Sequence, residues 1–184
     1  MKDFIKTKGD NVNMVDDLTD ALLNVMKYSD STVEYPDFSN AKIDDGVVAE
    51  WFYPIMNGSN DFSELTAIHT YVLQESKFED IGELMLGIAL VEMKHYGKLC
   101  DFVKTIGGSI EQHYNTIGVN AGTTKEEAID IAIAAEQRTI EFYKNLKQRL
   151  LQKDTKTVRV AVALINKLIA DEQIHLVLLN QTKQ

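Results

Sequence analysis

Apolar residues recur at spacings of three and four in four segments of the chain, and each stripe contains a residue that resists burial. The second segment reads Met85, Ile88, Glu92, His95, Leu99, Phe102, Ile106, and the fourth reads Ala161, Ile165, Leu168, Glu172, His175, Leu179. The third reads Ile129, Ile133, Glu136, Ile140, Tyr143, and the first, shorter, reads Glu64, Ile68, Tyr71. This period buries one face of an α-helix, so each segment is predicted to be one. The first helix is expected over about 62–76, with Ser59 to Asp61 as polar cap candidates. A break at Lys77 to Asp80 precedes the second, which Gly107-Gly108 ends. Thr124-x-x-Glu127 is a capping box for a third helix reaching about Leu151, and Asp154 caps a fourth running to about Asn180.

Between the second and third helices, Ser109 to Gly122 has no sustained period and reads as a long connection. The predicted fold class is therefore all-α: an antiparallel four-helix bundle with one long crossover. A helical extension over 1–46 precedes the bundle domain of 47–184. In that extension Val12 to Tyr28 is expected to form an amphipathic helix with Val15, Leu18, Leu22 and Met26 on one stripe, and the polar stretch Ser29 to Asp45, with Pro36, reads as a loop. No chemistry is assigned to it. The apolar segment Val47 to Met56, with Trp51, Phe52 and Tyr53, is expected to pack on the bundle before Asn57-Gly58 stops it. A chain of 184 residues with 45% hydrophobic content builds one core of this kind.

Every predicted helix carries one glutamate on its apolar stripe. A buried carboxylate without a partner protonates or acquires a counter-charge, and four in one core are far less favourable than one. Two divalent cations balance four carboxylates, and two neutral imidazoles complete the coordination. The spacing Glu92-x-x-His95, repeated as Glu172-x-x-His175, places both side chains of each pair on one helix face. Registration strengthens the reading. Glu64 and Glu92 are 28 positions apart with their midpoint at Phe78, in the first predicted turn, and Glu136 and Glu172 are 36 apart with theirs at Asp154, in the second. Antiparallel hairpins hold such pairs level. The pattern Glu64-x-x-x-Ile68-x-x-Tyr71 recurs as Glu136-x-x-x-Ile140-x-x-Tyr143, so the chain reads as two echoing hairpins with a pseudo-two-fold site between them. The candidate metal ligands are Glu64, Glu92, His95, Glu136, Glu172 and His175.

Other residues are weighed against that set. Asp171, four residues before His175, either orients an imidazole or is an exposed helix aspartate. Tyr71 and Tyr143 either line the site or fill the core, core packing with a hydrogen bond being the expectation. His69, His113 and Glu75 are expected to stay off the metals, Glu75 lying roughly 16 Å along the helix from Glu64. Cys100, the one cysteine, is read as a small core residue and excludes an intrachain disulfide. The net charge of −9 and the absence of a Lys/Arg run exclude a nucleic-acid partner. With no apolar run of about 18 residues and no signal-peptide pattern at the N-terminus, no membrane partner is expected and the cytoplasm is the default.

The segments SELTAIHTYVLQES, GIALVEMKHYGKLCDFVKTIGG, AAEQRTIEFYKNL and LIADEQIHLVLL resemble the rubrerythrin and manganese-catalase-like branch of the ferritin-like superfamily, over roughly residues 47–180. The resemblance implies a ferritin-like bundle in which Glu64 and Glu136 are lone-helix carboxylates and the two Glu-x-x-His pairs complete a di-iron or di-manganese site, the ligand set general to such bundles. Two departures weigh against rubrerythrin-type peroxidase chemistry. One cysteine cannot supply a four-cysteine rubredoxin-like domain, and Thr139 stands where a further glutamate is usual. Oxygen and nitrogen ligands without thiolate suit iron or manganese, although zinc can occupy such a site in purified protein. The expected function is an oxidoreductase acting on hydrogen peroxide or dioxygen, with bridging glutamates holding the ions about 3.5–4 Å apart. It would take electrons from an external donor if reductive, and a homodimer is possible. The alternative is a non-catalytic metal-storage or stress-associated protein, or a structural component of an assembly.

Overall fold

In a computed structural model of the chain, residues 25–110 and 118–183 are described. The predicted helix over Val12 to Tyr28 falls almost wholly outside them, as does His113; Val25–Tyr28 is a single 3-10 turn. The described residues form five α-helices and no strand: α1 (Tyr53–Met56), α2 (Glu64–Lys77), α3 (Gly82–Thr105), α4 (Lys125–Leu150) and α5 (Lys156–Thr182). The fold class is all-α. None of these helices is long and apolar enough to cross a membrane.

The ends of the long helices follow from local chemistry. Ser63, not Ser59 to Asp61, caps α2, its hydroxyl accepting from Thr66 N at 3.4 Å. Thr124 caps α4 by accepting from Glu127 N at 3.2 Å, while the Glu127 carboxylate takes Thr123 N at 2.8 Å. Thr155 caps α5 in place of the expected Asp154, because its extended backbone aims Oγ1 at Val158 N (3.1 Å). Asp154 pairs with Arg159 instead. α3 ends on Gly107, whose φ of +84° suits a residue without a side chain. Its N–H reaches Lys104 O, and that of Gly108 reaches Val103 O at 2.9 Å. Thr155→Ala should cost about 1 kcal/mol of stability, as lost caps do, and urea unfolding measures it.

α2 and α3 form one hairpin and α4 and α5 the other. Between hairpins, Tyr143 meets Glu64, Tyr71 meets Glu136, and Gln74 meets Ala128 O, so α2 and α4 run antiparallel. His175 faces Glu92 while His95 faces Asp171, so α3 and α5 do too. α3 and α4 therefore point the same way, so the end of α3 and the start of α4 lie at opposite ends of the helices.

The stripes predicted for α3 and α5 are buried throughout. On α2 and α4 the stripe is narrower: Ala67 and Ala132 enter the core where Ile68 and Ile133 were expected, and both isoleucines are half-buried. Two apolar clusters result. One gathers Leu99, Phe102, Tyr143, Leu150, Leu164 and Ile165, and is covered by Phe52 and Ile55 of the aromatic segment. The other gathers Tyr71, Met85, Ile88, Ile129, Ala132 and Leu179. A polar layer separates them.

Candidate metal centre

That layer is made of the six predicted residues. Glu64 opens α2 directly after its cap, Glu92 and His95 stand mid-way along α3, Glu136 along α4, and Glu172 and His175 along α5. None exposes more than 2% of its surface. Their ligand atoms fall into two overlapping groups: Glu64, Glu92, His95 and Glu172, and Glu92, Glu136, Glu172 and His175, each with atoms all within 4.8 Å of one another. Glu92 and Glu172 belong to both. Such buried groups can each hold a metal ion.

The two halves match closely. His95 Nδ1 lies 2.9 Å from Glu92 Oε2, 3.3 Å from Glu172 Oε1 and 3.5 Å from Glu64 Oε2. His175 Nδ1 lies 2.9 Å from Glu172 Oε2, 3.1 Å from Glu92 Oε1 and 3.6 Å from Glu136 Oε1. The outer nitrogens fix the tautomers. His175 Nε2 meets the Tyr28 carbonyl at 3.0 Å, and a carbonyl only accepts, so Nε2 carries hydrogen. His95 Nε2 likewise donates to Asp171 Oδ2 at 3.1 Å. Each neutral ring then turns its Nδ1 lone pair toward carboxylate oxygens.

Lone pairs facing lone pairs in a dry core require a positive charge between them. Glu64 Oε2, Glu92 Oε1, both oxygens of Glu172 and His175 Nδ1 are buried without a hydrogen-bond partner, since the short His175 distances lie off the bonding direction. Without metal, protons must supply the charge. Burial, then the neighbouring Glu92, pushes Glu64 well above the carboxylate range, and burial with Glu172 does the same to Glu136. Burial opposes charge on the imidazoles, but Glu172, Glu92 and Glu64 outweigh it at His95, as Glu136 and its neighbours do at His175, so both are raised. At Glu92 burial is likewise outweighed, here by His95 and His175, and its carboxyl falls well below the usual range. Deprotonated carboxylates and neutral Nδ1 donors would welcome divalent cations in the same positions.

Two tyrosines cross between the hairpins. Tyr71 Oη donates to Glu136 Oε1 at 2.6 Å, and Tyr143 Oη donates to Glu64 Oε1. Each is buried, so the expected combination of core packing with a hydrogen bond holds for both. Burial, then the facing glutamate, raises both phenols and keeps them as donors. Thr139 gives its hydroxyl to Phe62 O (2.8 Å) and stays out of the layer. His69 contacts Leu65 O, and Glu75 is half-buried near the turn. Cys100 is a buried free thiol of the apolar core.

Asp171 is wholly buried rather than an exposed helix residue. Burial would raise its carboxyl, but His95, Lys167 and the Asp30 N–H hold it at about 2. Sequence reasoning missed its other partners: Ser29, Asp30, Tyr35 and Lys167. Lys167, Asp171 and His175 recur at intervals of four, a one-face signal available in the sequence. The Tyr28 carbonyl leaves no such trace.

Beside the layer, an open cleft of about 600 Å³ between α2 and α4 has Ala67, Tyr71 and Ala135 in its wall and the Arg138–Asp61 pair (2.6 Å) at its edge. Among known proteins, no family model and no curated sequence matches the chain.

Proposed function

We propose that the chain is a ferritin-like four-helix bundle of the rubrerythrin and manganese-catalase-like branch, holding two iron or manganese ions and acting on hydrogen peroxide or dioxygen. The observation that carries this reading is the pair of buried ligand groups sharing Glu92 and Glu172. The helix directions and the hairpin echo support the bundle; the donor set, carboxylate and imidazole without thiolate, supports iron or manganese over softer preferences.

In this reading Glu92 and Glu172, which belong to both groups, would help hold both ions, Glu64 and Glu136 would each hold one, and each histidine would offer its Nδ1 to one. Bound ions would supply one-electron steps between their +2 and +3 states. The protein's own contribution is orientation and exclusion: Tyr71 and Tyr143 hold the outer glutamates, Asp171 holds His95, and the apolar clusters keep bulk water from the layer. Action in the cytoplasm, with an external donor where the reaction is reductive, belongs to the same proposal.

Metal analysis after controlled loading, followed by oxygen- and peroxide-consumption assays, tests it. Two ions per chain with turnover are expected. Two ions without turnover would move the reading to storage or stability, and none would end it.

A further inference from the structure

Residues 28–35, which precede the helices in the chain, reach both imidazoles from outside. At one end the Tyr28 carbonyl accepts from His175 Nε2 at 3.0 Å. Further on, Ser29 Oγ (3.0 Å) and Asp30 N (2.6 Å) donate to Asp171 Oδ1, and Tyr35 Oη donates to Asp171 Oδ2 at 3.3 Å. That same Oδ2 accepts from His95 Nε2. Lys167, 3% exposed, ties the segment down by donating to Ser29 Oγ (3.0 Å), Asp30 O (2.6 Å) and Asp171 Oδ1 (2.7 Å).

Inside the layer the two halves are nearly equivalent; this segment is where they part. His175 is held by a neutral carbonyl, whereas His95 is held by a carboxylate. A carboxylate behind an imidazole fixes the ring and makes it the stronger donor to a cation, and losing such a partner commonly costs 10–100-fold, roughly, in metal affinity.

We propose that residues 28–35 form a strap that positions both imidazoles and makes the two ion positions unequal, the one at His95 filling first. The proposal rests on the metal-centre reading above. The strap's two ends can be loosened separately. A Cβ on Gly87 would lie 2.1 Å from Tyr28 Cε2 and 2.4 Å from its Cζ, so Gly87→Ala must displace the Tyr28 ring, and the expected result is a shift of the carbonyl on the same residue. Asp171→Asn keeps shape, but with Oδ1 engaged by Ser29, Asp30 and Lys167 its amide NH2 opposes the His95 Nε2–H. The ring proton then moves to Nδ1, which can no longer bind a cation.

Chelator-treated full-length protein titrated with Zn2+ by calorimetry should show two steps of unequal affinity. Gly87→Ala should weaken the second step about tenfold and spare the first, and adding Tyr28→Leu, which returns the space, should restore it. Asp171→Asn should weaken the first step by up to about a hundredfold. The melting temperature of each metal-free variant separates these effects from general destabilisation, which would lower both steps together. Two equal steps in the unaltered protein, or a Gly87→Ala variant that loses both steps alike or neither, would overturn the strap while leaving the metal centre standing. No Zn2+ binding at all would overturn the metal centre itself.

Discussion

Metal-free protein should lose stability as pH rises above the ordinary glutamate value of 4.5 and on past the ordinary histidine value of 6.5, and metal-loaded protein should not. Glu64 and Glu136 have folded pKa values above the ordinary 4.5, so above that value the native state binds more protons than the unfolded chain and each pH increment favours unfolding. His95 and His175, raised above 6.5, act in the same sense: their contribution is complete below that value and disappears as pH climbs through the folded value. Glu92 and Asp171, both lowered, contribute fully above their ordinary values and are lost only in strong acid. The metal-free optimum should therefore lie in mild acid. Cations replace those protons, so binding releases them and strengthens with pH. At a thousandfold excess over Kd each ion adds about 4 kcal/mol. At about 2–4 °C per kcal/mol for a chain of this size, two ions raise the melting temperature by about 15–30 °C near neutrality. Calorimetric scans with and without chelator across that pH range measure both effects. Parallel pH profiles, or melting temperatures that chelator leaves unchanged, would contradict buried ligation.

The second large effect separates shared ligands from unshared ones. Glu92→Ala and Glu172→Ala each remove a ligand from both groups, whereas Glu64→Ala and Glu136→Ala each remove one from a single group. Elemental analysis after gel filtration should find the first two variants nearly empty and the other two with about one ion per chain, given affinity losses of tenfold or more per ligand. Equal retention across all four would refute the shared arrangement. Glu64→Gln should also melt higher than the parent when both are metal-free, because it removes an acid that burial holds protonated.

The positions that carry the site were legible because helix geometry is local and periodic. The midpoints Phe78 and Asp154 fall where the helices break, so glutamates on partner helices had to lie level. Caps were less legible: Ser59 to Asp61 and Asp154 had the right chemistry, but the side chains that bond the first turns are Ser63 and Thr155. Ile68 and Ile133 were misplaced by one position: Ala67 and Ala132 are the buried residues there, and both isoleucines are half-buried. The strap was illegible for a deeper reason. Its contacts join residues 136 to 147 positions apart, and the one at His175 uses a main-chain carbonyl that any residue provides.

The crossed tyrosines carry a consequence for ancestry. Each sits seven residues after a glutamate on its own helix yet bonds the glutamate of the other hairpin. A single hairpin bearing Glu-x6-Tyr on one helix and Glu-x-x-His on the next would leave its tyrosine without a partner and its ligand set half complete. Two identical copies, paired face to face, would satisfy every one of these contacts. The architecture matches what duplication and fusion of a self-pairing hairpin would leave behind, and the contacts of residues 28–35 are where its halves differ.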